Sequence, residues 1–188
     1  MSEAAGANGR DFEERVDRLK AKVKSYPGFP KPPVVFRDMF SLMLDPRDIK
    51  ELIALQHLAI LRSCPEVEAI AMLESRGFIF AVPLAERLEV PVIPIRKHGK
   101  LPGRKLAATY QLEYGEDHLE IQEDVLKPGT KVLIVDDLLA TGGTLEAATS
   151  LVERSGAVVS LLLVIMELPD LQGRQRLSKY KLESLIQF

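Results

Sequence analysis

Four segments, Val67–Leu73, Val92–Ile95, Lys131–Val135 and Val158–Met166, are almost uninterruptedly apolar and rich in Val, Ile and Leu. A strand with one wet face alternates apolar and polar residues; these do not, so both of their faces must be covered. Helical stretches separate them, one from about Phe78 to Leu88 and another after Thr144 that ends near Arg154-Ser155-Gly156. Strands alternating with helices form a parallel sheet with helices on both faces, which predicts an α/β fold. At 188 residues, against roughly 100 to 200 per domain, one domain over 1–188 is expected.

The flanking segments read differently. Residues 1–9 suggest a loose tail, and Asp11–Lys24 places Phe12, Val16, Leu19 and Val23 on one helix face. Four prolines between Ser25 and Pro33 break that helix and lead into an extended Val34–Asp38. Asp45 caps a long helix with Pro46 in its first turn, carrying apolar residues from Ile49 to Leu61. Residues 99–127 have no helical period. Two alternating segments there, around Thr109–Tyr114 and Leu119–Ile121, suit a hairpin turning at Gly115-Glu116-Asp117. Val158–Met166 reads as the final core strand.

Charge and composition exclude several function classes. The net charge is −2, from 25 basic and 27 acidic residues, so no global field draws the chain to nucleic acid or an anionic membrane. Cys64 is the single cysteine, which excludes an intramolecular disulfide and a thiolate zinc cluster. The longest apolar stretch, Ala157–Met166, falls well short of the ~20 residues of a spanning helix. The acidic N-terminal segment lacks the apolar core of a signal peptide. A soluble cytoplasmic protein binding neither nucleic acid nor membrane is expected.

The most informative run is Lys131-Val-Leu-Ile-Val-Asp136-Asp137-Leu138-Leu139-Ala140-Thr141-Gly142-Gly143-Thr144. A core strand runs into a Thr-Gly-Gly-Thr turn at a helix N-terminus, where free N–H groups and the helix dipole attract a phosphate. It is not a nucleotide P-loop, because Gly-x-x-x-x-Gly-Lys is absent. Two carboxylates beside a phosphate cradle need another partner, and ribose hydroxyls or a magnesium ion would serve. Phosphate, vicinal diol and metal together describe ribose 5-phosphate. A strand-end cap with a tight turn, or an acidic phosphorelay pocket, is the alternative.

Three further segments carry candidate chemistry. Ser75-Arg76-Gly77 is a second strand-to-helix junction able to grip an anion, or simply a helix start with a surface Arg. Arg96, Lys97, Lys100, Arg104 and Lys105 crowd into ten residues without an acid, as in a solvated loop, a nucleic-acid patch or a lid over an anion. Phe36 within Val34–Asp38 offers an aromatic face for a base, or a core side chain.

The run Val132–Thr144 closely resembles the signature of the type I phosphoribosyltransferases, and the match extends from Val34 to Gln187. The resemblance implies a central, mainly parallel twisted sheet flanked by helices, a flexible hairpin lid over 96–124 and a small N-terminal hood, with 25–40 binding the base. It implies that Asp136 and Asp137 hold the ribose hydroxyls of 5-phosphoribosyl-1-pyrophosphate while Ala140, Thr141, Gly142, Gly143 and Thr144 wrap its 5′-phosphate. Ser75, Arg76, Arg96, Lys97 and Lys100 would bind pyrophosphate, Arg76 and Lys100 also acting in catalysis. The Leu-Glu-Tyr-Gly at 112–115 is similar to that of the adenine-specific branch, with Glu113 at the proton-transfer position. Ala140 stands where the hypoxanthine–guanine branch has an acid, so the proton must be handled elsewhere. Val35, Phe36, Arg37, Leu138 and Leu168 would bind adenine.

The implied reaction converts adenine and 5-phosphoribosyl-1-pyrophosphate to AMP and pyrophosphate. Magnesium would be held mainly by the substrate, with Asp136 or Asp137 as candidate protein ligands, and a homodimer is expected. Another purine base, or a regulator that senses the sugar pyrophosphate, are the alternatives. Ala81 departs from the family, which has glycine there, and the first twenty residues match less sharply.

Overall fold

A computed structural model describes residues 2–111 and 116–188. The chain divides into two compact units, Met1–Leu55 and Gln56–Phe188.

In the first unit, α1 (Ser2–Lys20) is followed by a two-stranded antiparallel sheet of β1 (Lys24–Pro27) and β2 (Val35–Asp38). The segment expected as a loose tail is helical from Ser2, in keeping with the high helix propensity of Ala4, Ala5 and Ala7. The helix also stops sooner than Lys24. The N–H groups of Lys22 and Val23 donate three residues back, to Leu19 and Lys20, and Val23 is buried beyond the helix end. Asp38 then caps a 3-10 turn at Met39–Leu44 by accepting from the Phe40 N–H at 3.0 Å. Asp45 starts α2 (Pro46–Ser63) as expected, its Oδ1 accepting the Arg47 N–H at 2.9 Å. The boundary between the units falls inside α2.

The second unit is built on a seven-stranded sheet. Its strands are β3 (Ala69–Leu73), β4 (Val92–Lys97), β5 (Lys105–Gln111), β6 (Glu116–Gln122), β7 (Lys131–Leu139), β8 (Val158–Glu167) and β9 (Leu182–Gln187), in the order β5-β6-β4-β3-β7-β8-β9. From β4 to β9 every neighbour is parallel, whereas β6 and β5 add antiparallel at one edge. The α/β expectation holds, and the apolar runs are its buried strands. Ile70, Leu73, Ile95, Val132–Val135 and Leu161–Ile165 are each inaccessible to solvent.

Several boundaries, and one whole strand, differ from the sequence reading. β7 continues through Asp136 and Asp137 to Leu139, because the facing β8 remains apolar to Met166 and keeps the ladder in register, Asp136 opposite Val164 and Leu138 opposite Met166. β4 likewise runs on to Lys97, paired with β6 at Arg96 and Lys97. The hairpin is present, but Glu116 and Asp117 already belong to β6, opposite Gln111 and Tyr110. Its expected turn position Gly115 lies outside the described residues. Finally, β8 is not the last core strand: β9 pairs parallel with it. The short, mixed run Leu-Glu-Ser-Leu-Ile-Gln gives only a weak strand signal of its own.

The chain order fixes where a ligand can bind. From β3 the chain crosses through α3 (Arg76–Leu88) to β4 on one side, and from the adjacent β7 through α4 (Gly143–Arg154) to β8 on the other. Such a reversal opens a crevice at the carboxyl ends of the two central strands. Both motif-bearing junctions, Glu74-Ser75-Arg76 after β3 and Ala140–Thr144 after β7, emerge there. Helix and sheet also approach closely: a Cβ on Gly77 would lie 2.8 Å from the Val135 carbonyl oxygen and 3.2 Å from Asp136 Cα. Ala81, where the family resemblance leads to the expectation of glycine, is fully buried in α3.

Candidate active site

The crevice is a cavity of about 480 Å³. Its walls unite most of the residues singled out above in the second unit: Ser75 and Arg76 from one junction, Asp136, Asp137 and Leu138 from the end of β7, Ala140–Thr144 from the turn, and Lys97 from β4.

Two helices begin at this cavity, and neither capping residue satisfies the free N–H groups. Gly142, which precedes α4, has no side chain to offer and adopts φ +84°, a left-handed conformation natural to glycine. Ser75, which precedes α3, makes no side-chain cap bond either. The first helical bond of α4 is the Glu146 N–H to the Gly142 carbonyl at 2.9 Å, leaving the earlier N–H groups of Gly143, Thr144 and Leu145 without i−4 partners. Uncapped N-termini on adjacent strands form two anion-binding positions across one crevice.

Between them lies the acid pair. Asp136 is 8% exposed and Asp137 5%. Burial pushes the Asp136 carboxyl well above the usual carboxylate range, reinforced by the neighbouring charge of Asp137. Burial also raises Asp137, opposed by Arg76. Asp136 Oδ1 accepts the Asp137 N–H at 2.8 Å. Arg76 Nε stands 2.9 Å from Asp137 Oδ2, close enough for an ion pair. It is not aligned as a hydrogen bond, and this buried oxygen has no hydrogen-bond donor. A buried acceptor without a donor is costly in a finished core and useful where a ligand hydroxyl is to be bound.

The basic segment is tied down by acids outside it. Glu74 accepts from Arg96 Nε at 2.8 Å and from the Lys97 N–H at 3.2 Å, with Lys100 Nζ 3.3 Å away. Burial alone would raise the Glu74 carboxyl, but these donors outweigh it and hold the group below its ordinary range. Lys97 Nζ pairs with Asp117 at 2.8 Å, and the Tyr110 hydroxyl donates to the same carboxylate at 3.1 Å. That pairing raises Lys97 and lowers Asp117. Lys105 meets the buried Glu120 at 3.2 Å. Arg96 and Lys100 are thus joined to the cavity through Glu74 and are not among its wall residues.

Sequence reasoning missed Glu74 and Tyr110, both in the cavity wall. The position of Glu74 immediately before Ser75 was the available signal. Tyr110 had none beyond its place on the hairpin. Leu168 is joined to the end of β7 through its backbone, its N–H donating to the Leu139 carbonyl at 2.9 Å. Val35, Phe36 and Arg37 belong to the first unit. There the Phe36 ring packs edge-on to Phe29 at 5.2 Å, and Arg37 donates to Ser25 Oγ at 2.6 Å. Glu113 lies outside the described residues.

The phosphoribosyl transferase domain family matches residues 55–186. The chain is 49% identical over 176 residues to the adenine phosphoribosyltransferase of Drosophila pseudoobscura pseudoobscura, covering 94% of this chain and 97% of that protein. Among solved structures, the Saccharomyces cerevisiae adenine phosphoribosyltransferase complexed with D-2,5-dideoxy-2,5-imino-altritol 1,6-bisphosphate and adenine superposes with a TM-score of 0.88 at 39% identity, covering 92% of this chain and 98% of that one. The Thermoanaerobacter pseudethanolicus enzyme gives 0.86 at 42% identity, covering 92% and 99%. With two uncapped helix ends and a buried acid pair at the switch point of such a sheet, the chain belongs to the phosphoribosyltransferase family, among the adenine phosphoribosyltransferases.

Proposed function

We propose that the protein transfers the 5-phosphoribosyl group from 5-phosphoribosyl-1-pyrophosphate to adenine, giving AMP and pyrophosphate, a purine-salvage reaction. One observation carries this reading: two uncapped helix N-termini open on a single cavity, with a buried acid pair between them. A substrate with an anionic group at each end and hydroxyls in the middle answers all three features.

In this reading Thr141–Thr144 bind the 5′-phosphate, and Asp136 and Asp137 accept hydrogen bonds from the ribose hydroxyls. The Asp137 oxygen that lacks a donor is the natural acceptor for one of them. Ser75, Arg76 and the N-terminus of α3 receive pyrophosphate. Departure of that group leaves positive charge on the sugar and builds negative charge beside Arg76 and Lys97, while Arg96 and Lys100 offset the Glu74 carboxylate in the wall. Cations already fixed there stabilise the developing charge without reorganising. Val35, Phe36 and Arg37 bind and stack the base, with Leu138 and Leu168 as apolar surfaces, and Glu113 handles the proton on the purine imidazole ring. Holding both substrates in line supplies much of the acceleration.

The acid pair also fits magnesium. Among the described residues no group of three or more His, Cys, Asp or Glu side chains could hold a metal ion alone. Two adjoining carboxylates suit an ion bound chiefly by substrate oxygens, which is how magnesium commonly binds. When bound, it neutralises charge on the departing pyrophosphate. Among the described residues no helix is long and apolar enough to cross a membrane. We also propose a cytoplasmic location, on the single Cys64, and a homodimer, on the family resemblance.

The deciding experiment follows pyrophosphate release from 5-phosphoribosyl-1-pyrophosphate with adenine, hypoxanthine and guanine in parallel. Adenine should be consumed at least a hundredfold faster than the others. Absence of turnover with any base, or a preference for an oxopurine, refutes the assignment.

A further inference from the structure

Gly173 has no place in the chemistry above, yet its backbone lies directly on the turn that binds the 5′-phosphate. A Cβ at Gly173 would collide with the Ala140 carbonyl oxygen, and would stand 2.8 Å from Leu139 Cδ1 and 3.0 Å from the Gly142 nitrogen. The contact is reciprocal. A Cβ at Gly142 would meet the Gly173 carbonyl oxygen at 2.8 Å and Gly173 Cα at 3.3 Å. Two backbones therefore touch with no side chain between them, at the point where Gly142 takes its left-handed conformation.

The residue that follows is anchored. Arg174 grips Glu167 with Nε on Oε1 at 2.9 Å and Nη2 on Oε2 at 2.6 Å, and its Nη1 donates to the Leu182 carbonyl at 3.0 Å. Glu167 is 3% exposed and also accepts from Ser184 Oγ and, at 3.2 Å, from Gln187 Nε2. It lies opposite Leu139 in the ladder between β7 and β8, one residue before the turn begins. A bidentate Arg–carboxylate pair is directional as well as strong. It ties the Gly173 segment to β8 and β9, the strands beside the turn.

We infer that Gly173 is a positioning residue for the 5′-phosphate turn: held by the Glu167–Arg174 pair, its bare backbone supports Ala140–Gly142 from behind and sets the direction of the N–H groups that face the phosphate. This rests on the phosphoribosyl reading of the cavity. Packing alone would predict a general loss of stability on substitution. Support of the turn predicts a selective loss, because Gly173 makes its close contacts on the β7 side of the crevice and none of them involves Ser75 or Arg76.

The test titrates ribose 5-phosphate and, separately, pyrophosphate into the full chain and into Gly173→Ala, by calorimetry. Ribose 5-phosphate should bind at least tenfold more weakly to the variant, while pyrophosphate stays within twofold. Equal weakening of both ligands, or of neither, overturns the inference. Should the variant fail to fold, amide spectra of the unaltered chain decide: the Gly173 resonance should move with ribose 5-phosphate and stay in place with pyrophosphate, and an unmoved Gly173 rejects the role. An unaltered chain that binds no ribose 5-phosphate sinks the phosphoribosyl reading itself. Normal binding with an indifferent variant sinks only the role of Gly173.

Discussion

Asp136→Asn should make the protein more stable and a poorer binder at once. Burial and the charge of Asp137 both displace the Asp136 carboxyl well upward. In the unfolded chain the same group ionises near its ordinary value of about 3.9. The folded state therefore binds the extra proton, so stability is greatest below about pH 3.9 and declines as pH rises towards the folded value, levelling off above it. Removing the charge should therefore raise Tm at neutral pH and leave it unchanged where the carboxyl is protonated in both states. Asparagine keeps the shape, and its Oδ1 can still accept the Asp137 N–H, now at 2.8 Å. What it loses is a charged acceptor for a ribose hydroxyl, about 1.5–3 kcal/mol, or roughly 10- to 150-fold in affinity. Thermal melts between pH 5 and 8, paired with calorimetric titration of ribose 5-phosphate, measure both quantities. A lower Tm for the variant, or unchanged affinity, would refute the reasoning.

Further substitutions probe the other parts of the site. Glu113→Gln should reduce turnover by roughly 10²- to 10⁴-fold while leaving ribose 5-phosphate affinity within about twofold; single-turnover measurements with adenine would expose an undiminished rate. Gly77→Ala would place a methyl carbon 2.8 Å from the Val135 carbonyl oxygen and 3.4 Å from Asp136 Oδ1, so α3 must retreat from the acid pair. Its destabilisation should reach about 1–3 kcal/mol in denaturant titrations, as for an overpacked core. Arg174 holds the Glu167 carboxyl below the usual range, so its contribution is present above an unfolded value near 4.3 and disappears as pH falls through the folded one. Glu167→Gln should flatten that acid limb of the stability curve, and parallel curves for the two proteins would contradict it.

The parts of the fold legible in the sequence are those whose signal is local. Continuous apolar runs announced buried parallel strands, and Asp45-Pro46 announced the start of α2. The unread elements take their conformation from a neighbour. β9 is a short mixed segment that becomes a strand by pairing with β8, and Asp136 and Asp137 stay in a strand because β8 carries the ladder past them. Ala4, Ala5 and Ala7 extend α1 back to Ser2, outweighing glycines that read as a tail. Within the site, the motif residues were legible because each is adjacent in sequence to a strand end or helix start. Glu74 shares that adjacency but was passed over, since its importance lies in Arg96 and Lys100, more than twenty residues away.

That difference follows from what a binding site must leave undone. A motif records groups that are left free for a ligand: N–H groups at two helix starts, a carboxylate oxygen without a donor, carboxyls held in a medium that disfavours their charge. Each makes the empty protein less stable than a satisfied core would. Their cost must be met by contacts that hold the backbone in place, and these join residues remote in sequence: Gly77 against Asp136, Gly173 against Ala140, Glu74 against Arg96. Glycine is unremarkable as a letter in a sequence. Only the fold reveals that one glycine faces solvent, as Gly99 does with nothing within 4 Å, and another separates two backbones by the width of a missing methyl. The chemistry of this family is written where the chain leaves groups unpaired, and its precision where the chain leaves no room for a side chain.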